Sequence, residues 1–367
     1  MSPHTFSHAQ ILQLSYVKGI TASGLRKIVE HYGNAERLAH STPDFFAQAR
    51  VRGLQFEALQ GYINYEEFAQ RQIASAERHG ARIVTIWDDE YPAALREIYN
   101  PPTVIFVKGT LLSEDAHAIA IVGTRGMTEY GRRMTEVFAR SFVEHGVTVV
   151  SGLARGVDSV AHGAALKYNG RTIAVVASGL DEISPQIAKQ LSDKIIHNGA
   201  VISEYKMGIK AMPAFFPQRN RIISGIALGT VVVESAVDGG AMITAGFALD
   251  QNRGTFAIPG RTNDPKSTGT NLLIKDSRAK LVTVPEDVLQ EFGIAQKKDN
   301  AKASALNIEN ISLFERKVFD SLADNPKHID EIAETSAIPS SEALVHLLSL
   351  ELKGYVRQMA GKMFARE

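Results

Sequence analysis

The 367-residue sequence predicts an α/β fold with a Rossmann-like, doubly wound, mostly parallel sheet, and three observations carry that expectation. First, six short apolar runs recur at 119–122, 147–150, 172–177, 200–203, 230–233 and 255–258. They are unbroken stretches rather than alternating ones, the pattern of strands buried on both faces. Second, amphipathic stretches of helical length separate the runs, as βα units require. Third, a glycine precedes each later run, at Gly146, Gly170, Gly199, Gly229 and Gly254. At that spacing each is expected to end the preceding helix.

The elements before this core read differently. Residues 8–40 predict short helices, and the turn Val17-Lys18-Gly19-Ile20-Thr21 has the look of a helix-hairpin-helix, or SAM-like, unit. Such turns usually carry a second glycine, and Thr21 or Ala22 stands there instead. A packing role is therefore preferred over direct DNA contact. Helices are expected through 43–80, with Tyr62, Tyr65 and Phe68 at core spacing. A strand over 81–87, a helix ending at Tyr99 and a strand over 104–107 follow, with Asn100-Pro101-Pro102 as the break. The acidic trio Asp88-Asp89-Glu90 reads as a solvated turn, since three successive carboxylates do not easily face one ion.

In doubly wound sheets ligands lie beyond the carboxyl ends of the strands. Every such end here carries small, polar or charged residues: Gly123-Thr124-Arg125-Gly126, Ser151-Gly152-Leu153-Ala154-Arg155-Gly156, Ser178-Gly179, Glu204, Glu234-Ser235 and Pro259-Gly260-Arg261. The first two loops combine glycine, which lets backbone amides approach a ligand, with arginine, a fixed positive fork. They read as an anion-binding lip. Phe215-Phe216-Pro217-Gln218-Arg219-Asn220-Arg221 sets two arginines and an amide beside two aromatic rings at a helix start, suited to phosphate and a stacked base.

After Phe292 the apolar periodicity fades, so 293–311 reads as a linker. Residues 312–367 then give three helices and a hairpin, the winged helix-turn-helix pattern. Domains are expected at 1–80, 81–292 and 312–367. The central stretch 116–292 holds 19 basic against 16 acidic side chains, whereas the tail holds 7 against 9. With Ser340, Ser341, Glu342 and His346 on its recognition helix, the tail fits protein contact or regulation better than duplex reading.

Other chemistries lack their required residues. A nicotinamide site needs G-x-G-x-x-G and an acid after the second strand, and a P-loop needs a lysine closing its glycine loop; neither is present. Asp158 and His162, four apart on one helix face, are the best acid–base pair, and both have structural readings. The chain has no cysteine, which excludes disulfides and thiolate metal sites. No metal site, cofactor or catalytic residue is expected. Without a long apolar stretch or a signal-peptide layout at the start, a cytoplasmic protein is expected, with no membrane partner.

Taken together, Ile121-Val122-Gly123-Thr124-Arg125, Ser151 to Asp158 with Ala161-His162, Phe216 to Ile223, Val233-Glu234, Ile243-Thr244-Ala245 and Ala257 to Gly260 resemble the DNA-processing protein A (DprA/Smf) family. The resemblance implies a non-enzymatic protein that binds single-stranded DNA, dimerises and loads the RecA recombinase during natural transformation. By position, the DNA-binding residues would be Gly123, Thr124, Arg125, Gly152, Arg155, Gly156, Phe216, Arg219, Asn220, Arg221, Gly239, Gly240 and Thr244. The sequence departs from the family at Ser184, Lys206, Gly239-Gly240-Ala241 and Ser277-Arg278-Ala279. The alternative is a nucleoside-monophosphate phosphoribohydrolase-like enzyme on the same fold. Its P-G-G-x-G-T-x-x-E signature loses the catalytic glutamate here, because Gly246 stands in that place.

Overall fold

The computed structural model describes residues 5–294, 312–322, 326–353, 355–359 and 361–366. The expected linker falls almost wholly outside them. The chain divides into two compact units, Met1–Lys297 and Lys298–Glu367.

The first unit opens with six helices: α1 (His8–Ser15), α2 (Ala22–Tyr32), α3 (Ala35–Ala39), α4 (Pro43–Gln48), α5 (Phe56–Gln60) and α6 (Glu66–Arg78). Polar side chains cap the first four at Ser7, Thr21, Asn34 and Thr42, each accepting an otherwise unpaired backbone amide. These helices share a core of Ile11, Leu14, Leu25, Ile28, Tyr32 and Leu59. The same layer packs on the sheet through Leu12, Ala69 and Ala76. His8 ties it to Asp88 at 3.0 Å, and Glu90 pairs with Arg82, so the acidic trio holds chain segments together rather than forming one cluster.

Then come β1 (Ala81–Thr85), α7 (Ala93–Arg96), β2 (Val104–Gly109), β3 (Ala118–Val122), α8 (Glu129–Glu144), β4 (Thr148–Ser151), α9 (Val157–Lys167), β5 (Thr172–Val175), α10 (Gln186–Ile195) and β6 (Gly199–Ser203). The unit closes with α11 (Phe215–Ile226), β7 (Gly229–Val232), α12 (Gly240–Asp250), β8 (Gly254–Ala257), α13 (Thr268–Lys275), β9 (Lys280–Leu281) and α14 (Glu286–Glu291). The nine strands form one sheet in the order β1-β2-β6-β5-β4-β3-β7-β8-β9. β2 is antiparallel to both its neighbours, and all other pairs are parallel.

The strands alternate as their period of two demands. On β3, Ala118, Ala120 and Val122 face the core under α11 and α12, while Ile119 and Ile121 face the core under α8 and α9. Both faces are apolar because both are covered. β3 lies between β4 and β7, so the chain order reverses at its carboxyl end, which makes that end the switch point where such sheets bind ligands.

The glycine expectation holds at one of its five positions. Gly146 takes a left-handed φ of 73° after α8, but Asn169 and Asn252, at 57° and 54°, take that role where Gly170 and Gly254 were expected to. The other four glycines answer crowding instead. A Cβ at Gly199 would lie 1.9 Å from the Thr172 carbonyl oxygen, one at Gly170 would strike Val143, and those at Gly229 and Gly254 would meet the Phe256 and Phe292 rings.

The second unit is a winged helix: α15 (Leu313–Ser321), β10 (Lys327–His328), α16 (Ile329–Ser336), α17 (Ser340–Leu352), β11 (Val356–Met359) and β12 (Met363–Arg366). Val318, Ile332, Ala343, Leu347, Leu350 and Phe364 form its core.

Candidate nucleic-acid interface

The carboxyl ends of β3, β4 and β7 open into a cavity of about 350 Å³. It brings together Gly123, Thr124, Arg125, Phe216, Arg219, Asn220, Gly239, Gly240 and Thr244 of the residues picked out by sequence. Gly152, Arg155, Gly156 and Arg221 are not part of its lining.

Close backbone packing joins the two glycine–arginine loops. Gly156 sits at φ 94°, and a Cβ there would lie 2.3 Å from the Thr124 carbonyl oxygen. The Val157 amide donates to that same oxygen. Between the glycines, Leu153 holds a left-handed φ of 56°, unusual for a side chain of its size. Burial of Leu153 against Val176, Leu180 and Met207 accompanies that conformation.

The loop amides do not all face outward, contrary to the simple reading of an anion-binding lip. Those of Gly152 and Ala154 donate to the Asp158 carboxylate at 3.2 and 3.4 Å. The Thr124 amide donates to the Glu234 carbonyl. Glu234 itself is buried, and its carboxylate accepts from the Thr128 amide and hydroxyl at the start of α8. The acid at the end of β7 is therefore a helix-capping strut.

The two arginines of α11 are also occupied within the protein. Arg219 is 3% exposed; its Nη1 donates to the carbonyls of Gly152, at 2.6 Å, and of Val175. Burial lowers its pKa to about 10, opposed by the Asp158 charge. Gly152 lies between that carboxylate and guanidinium, since a Cβ there would come within 2.8 Å of both groups. Arg221 donates to Glu204 at 2.6 Å, with both side chains largely covered. Expected as paired phosphate ligands, Arg219 instead forms the cavity floor and Arg221 a side brace. Position 219 shares the stripe of Ile222, Ile223 and Ile226, spaced i, i+3, i+4 and i+7, so helical periodicity alone marked it as inward-facing.

What remains open to solvent is a different set. Arg125 and Arg155 are exposed. Arg125 lies 5.2 Å over the half-buried Phe216 ring, whose surroundings also include Arg219 at 5.9 Å. Across the cavity α12 starts behind Gly239, which has no side chain to cap it; Gly239, Gly240 and Ala241 line the cavity, and no side-chain oxygen caps the helix start. Exposed arginine, a half-buried aromatic ring and an uncapped helix start suit a phosphate beside a base.

Asp158 and His162 are buried. Burial pushes the Asp158 carboxyl up, opposed by Arg219 and the loop amides. Burial and the Arg219 charge push His162 down to about 3, and its Nδ1 pairs with the Thr172 hydroxyl at 2.7 Å. Asp158 borders the cavity with its carboxylate held by the Gly152 and Ala154 amides, whereas His162 is not part of the lining.

Sequence reasoning missed the bridge from this edge to the helical layer. After β6, Tyr205 stacks on Phe215 at 4.4 Å, and the Lys206 ammonium lies 3.1 Å from the centre of the Tyr16 ring. Gln72 exchanges two hydrogen bonds with the Met207 backbone. No local pattern marks partners so far apart in the chain.

A larger cleft, about 580 Å³, lies at the opposite ends of the strands beside Glu114, Glu144, His145, Tyr168 and Phe292. Its one arginine, Arg171, is held by Asp115 at 2.9 Å. Size favours that cleft, but chemistry and the topological switch favour the smaller cavity.

Comparisons with known proteins converge on this architecture. Residues 82–293 match the family described as DNA recombination-mediator protein A, and 305–362 match the DprA winged helix domain. Protein Smf of Escherichia coli is 34% identical over 84% of each chain. The X-ray structure of DNA processing protein A from Streptococcus pneumoniae matches with a TM-score of 0.67 and 33% identity, covering 78% of this chain and 98% of that one. A Helicobacter pylori DNA processing protein A, whose structure is described as giving insight into its single-stranded DNA binding mode, matches with a TM-score of 0.52 and 26% identity over 58% and 95%.

Proposed function

Since the chain belongs to the DNA recombination-mediator protein A family, we propose that it binds single-stranded DNA across the carboxyl edge of β3, β4 and β7. On this reading it protects DNA entering the cell during natural transformation and loads the RecA recombinase, acting in the cytoplasm as a homodimer without catalysing a reaction. Residues 81–292 serve as the binding domain, flanked by the helical domain 1–80, the linker 293–311 and the winged-helix domain 312–367.

The observation that carries the reading is the exposed Arg125 laid over Phe216 beside the uncapped start of α12. Phosphates would meet Arg125, Arg155 and the first amides of α12, and a base would take the Phe216 face. Gly123, Thr124, Gly156, Gly239, Gly240 and Thr244 would shape the groove. Gly152, Arg219, Asn220 and Arg221 would hold it from behind. The Asp158 carboxylate, held by the Gly152 and Ala154 amides, and His162, outside the cavity lining, support binding over hydrolysis.

The test is fluorescence anisotropy of labelled single-stranded and duplex oligonucleotides across a salt series. The parent protein should prefer single strands and weaken as salt rises, and Arg125→Ala/Arg155→Ala should lose about tenfold or more in affinity while remaining folded. Equal affinity for strands and duplex, or a variant that binds like the parent, overturns the proposal.

A further inference from the structure

The winged helix carries a surface that nucleic-acid binding does not explain. Helix α17 buries Ala343, Leu347 and Leu350, and it leaves Leu344, Val345 and Leu348 between 39% and 63% exposed. At 100° per residue those three fall on one continuous arc of the helix, away from its buried face. Three large apolar side chains in one arc on a polar domain mark a contact surface.

The ionised side chains of α17 itself are of one sign, and Lys353, which follows it, is paired with Glu315 of α15. From Ser340 to Leu352 the ionised side chains are Glu342 and Glu351, and the helix holds neither lysine nor arginine. α16 adds the exposed Asp330, Glu331 and Glu334, and Asp330 meets the start of α17 by accepting from the Ser340 hydroxyl at 3.3 Å. A helix entering the major groove needs cations for phosphate and donors for base edges. The cations Arg357 and Lys362 belong to the hairpin instead. Self-pairing also conflicts with the charges. Antiparallel α17 helices would set Glu342 beside Glu351 of the second copy, and parallel ones would set like against like.

From this apolar stripe with its acidic rim, we propose that α17 docks an amphipathic helix of a partner protein, one whose apolar stripe is flanked by lysine and arginine. Helix-in-groove recognition supplies the apolar contact, and the carboxylates at Glu342 and Asp330 select the basic flanks. The inference is independent of the strand-binding proposal.

The test uses the full chain and two labelled helical peptides of about five turns, with the same leucine stripe and either lysine or glutamate flanks. Anisotropy should show the basic peptide binding about tenfold or more tightly than the acidic one. The exposed-site double substitution Leu344→Ser/Leu348→Ser should abolish that binding, and Glu342→Lys, which keeps the stripe, should shrink the preference. Equal binding of the two peptides overturns the proposal. So does duplex binding by the full chain that Leu344→Ser/Leu348→Ser abolishes, or a self-association that the same substitution dissolves.

Discussion

The carboxyl edge of the sheet and the winged helix invert what their names suggest. The winged helix is a shape widely used to read DNA, yet its recognition helix presents leucine, valine and carboxylate. The α/β edge has no nucleotide-enzyme signature, yet it exposes arginine over an aromatic ring. The difference lies in which side chains each scaffold leaves free after its own hydrogen bonds are satisfied. A scaffold's usual task is an analogy, and the residual chemistry of its surface is the stronger guide.

Replacing Arg219 by Met should have the largest effect that sharpens this contrast. It removes the donor shared by the Gly152 and Val175 carbonyls and leaves Asp158 buried without its compensating charge. A loss of about 3 kcal/mol or more is expected in urea unfolding; an unchanged midpoint would put Arg219 back among the ligand contacts. Next is Arg125→Ala/Arg155→Ala, which should leave the unfolding midpoint near the parent's while flattening the salt slope of strand binding by about 1.4, or about 0.7 for each phosphate no longer neutralised. A slope that does not change would break the assignment of these two arginines.

A smaller, pH-dependent effect belongs to His162. Its folded pKa of about 3 lies below the ordinary 6.5, so between those values the unfolded chain holds more protons. Its contribution to stability is complete above about pH 6.5 and declines as pH falls through that window. Asp158, pushed upward, acts in the opposite sense, so the informative quantity is the difference between the parent and His162→Gln. Urea midpoints at neutral and mildly acidic pH should fall further in the parent; equal falls would sink the assignment. The smallest effect is expected from Arg357→Ala/Lys362→Ala in the hairpin, which should leave single-strand affinity within about twofold on anisotropy. A tenfold loss would bring the winged helix into the groove and dissolve the contrast.

The fold was legible because buried strands and amphipathic helices write their periods locally. The nine-stranded order adds two antiparallel neighbours at β2, and one of them depends on pairing between β2 and β6, strands far apart in the chain. The site was legible as a location but less so as a set of contacts. Arg125 and Arg155 stand on short loops between glycines, where exposure follows from the backbone. Arg219 lies on the inward stripe of α11, and its charge drew more weight than its spacing. Arg221 depends on Glu204, and Lys206 on Tyr16, partners that only the folded chain brings near.

The contact of Gly156 with the Thr124 carbonyl has a consequence for how this edge tolerates change. Any side chain at 156 meets backbone at 2.3 Å, whereas Arg125 and Arg155 are exposed, where most side chains fit. On the strand-binding proposal, mutation retunes the charge of this edge while its shape stays fixed, so affinity and salt response drift between variants without a new architecture.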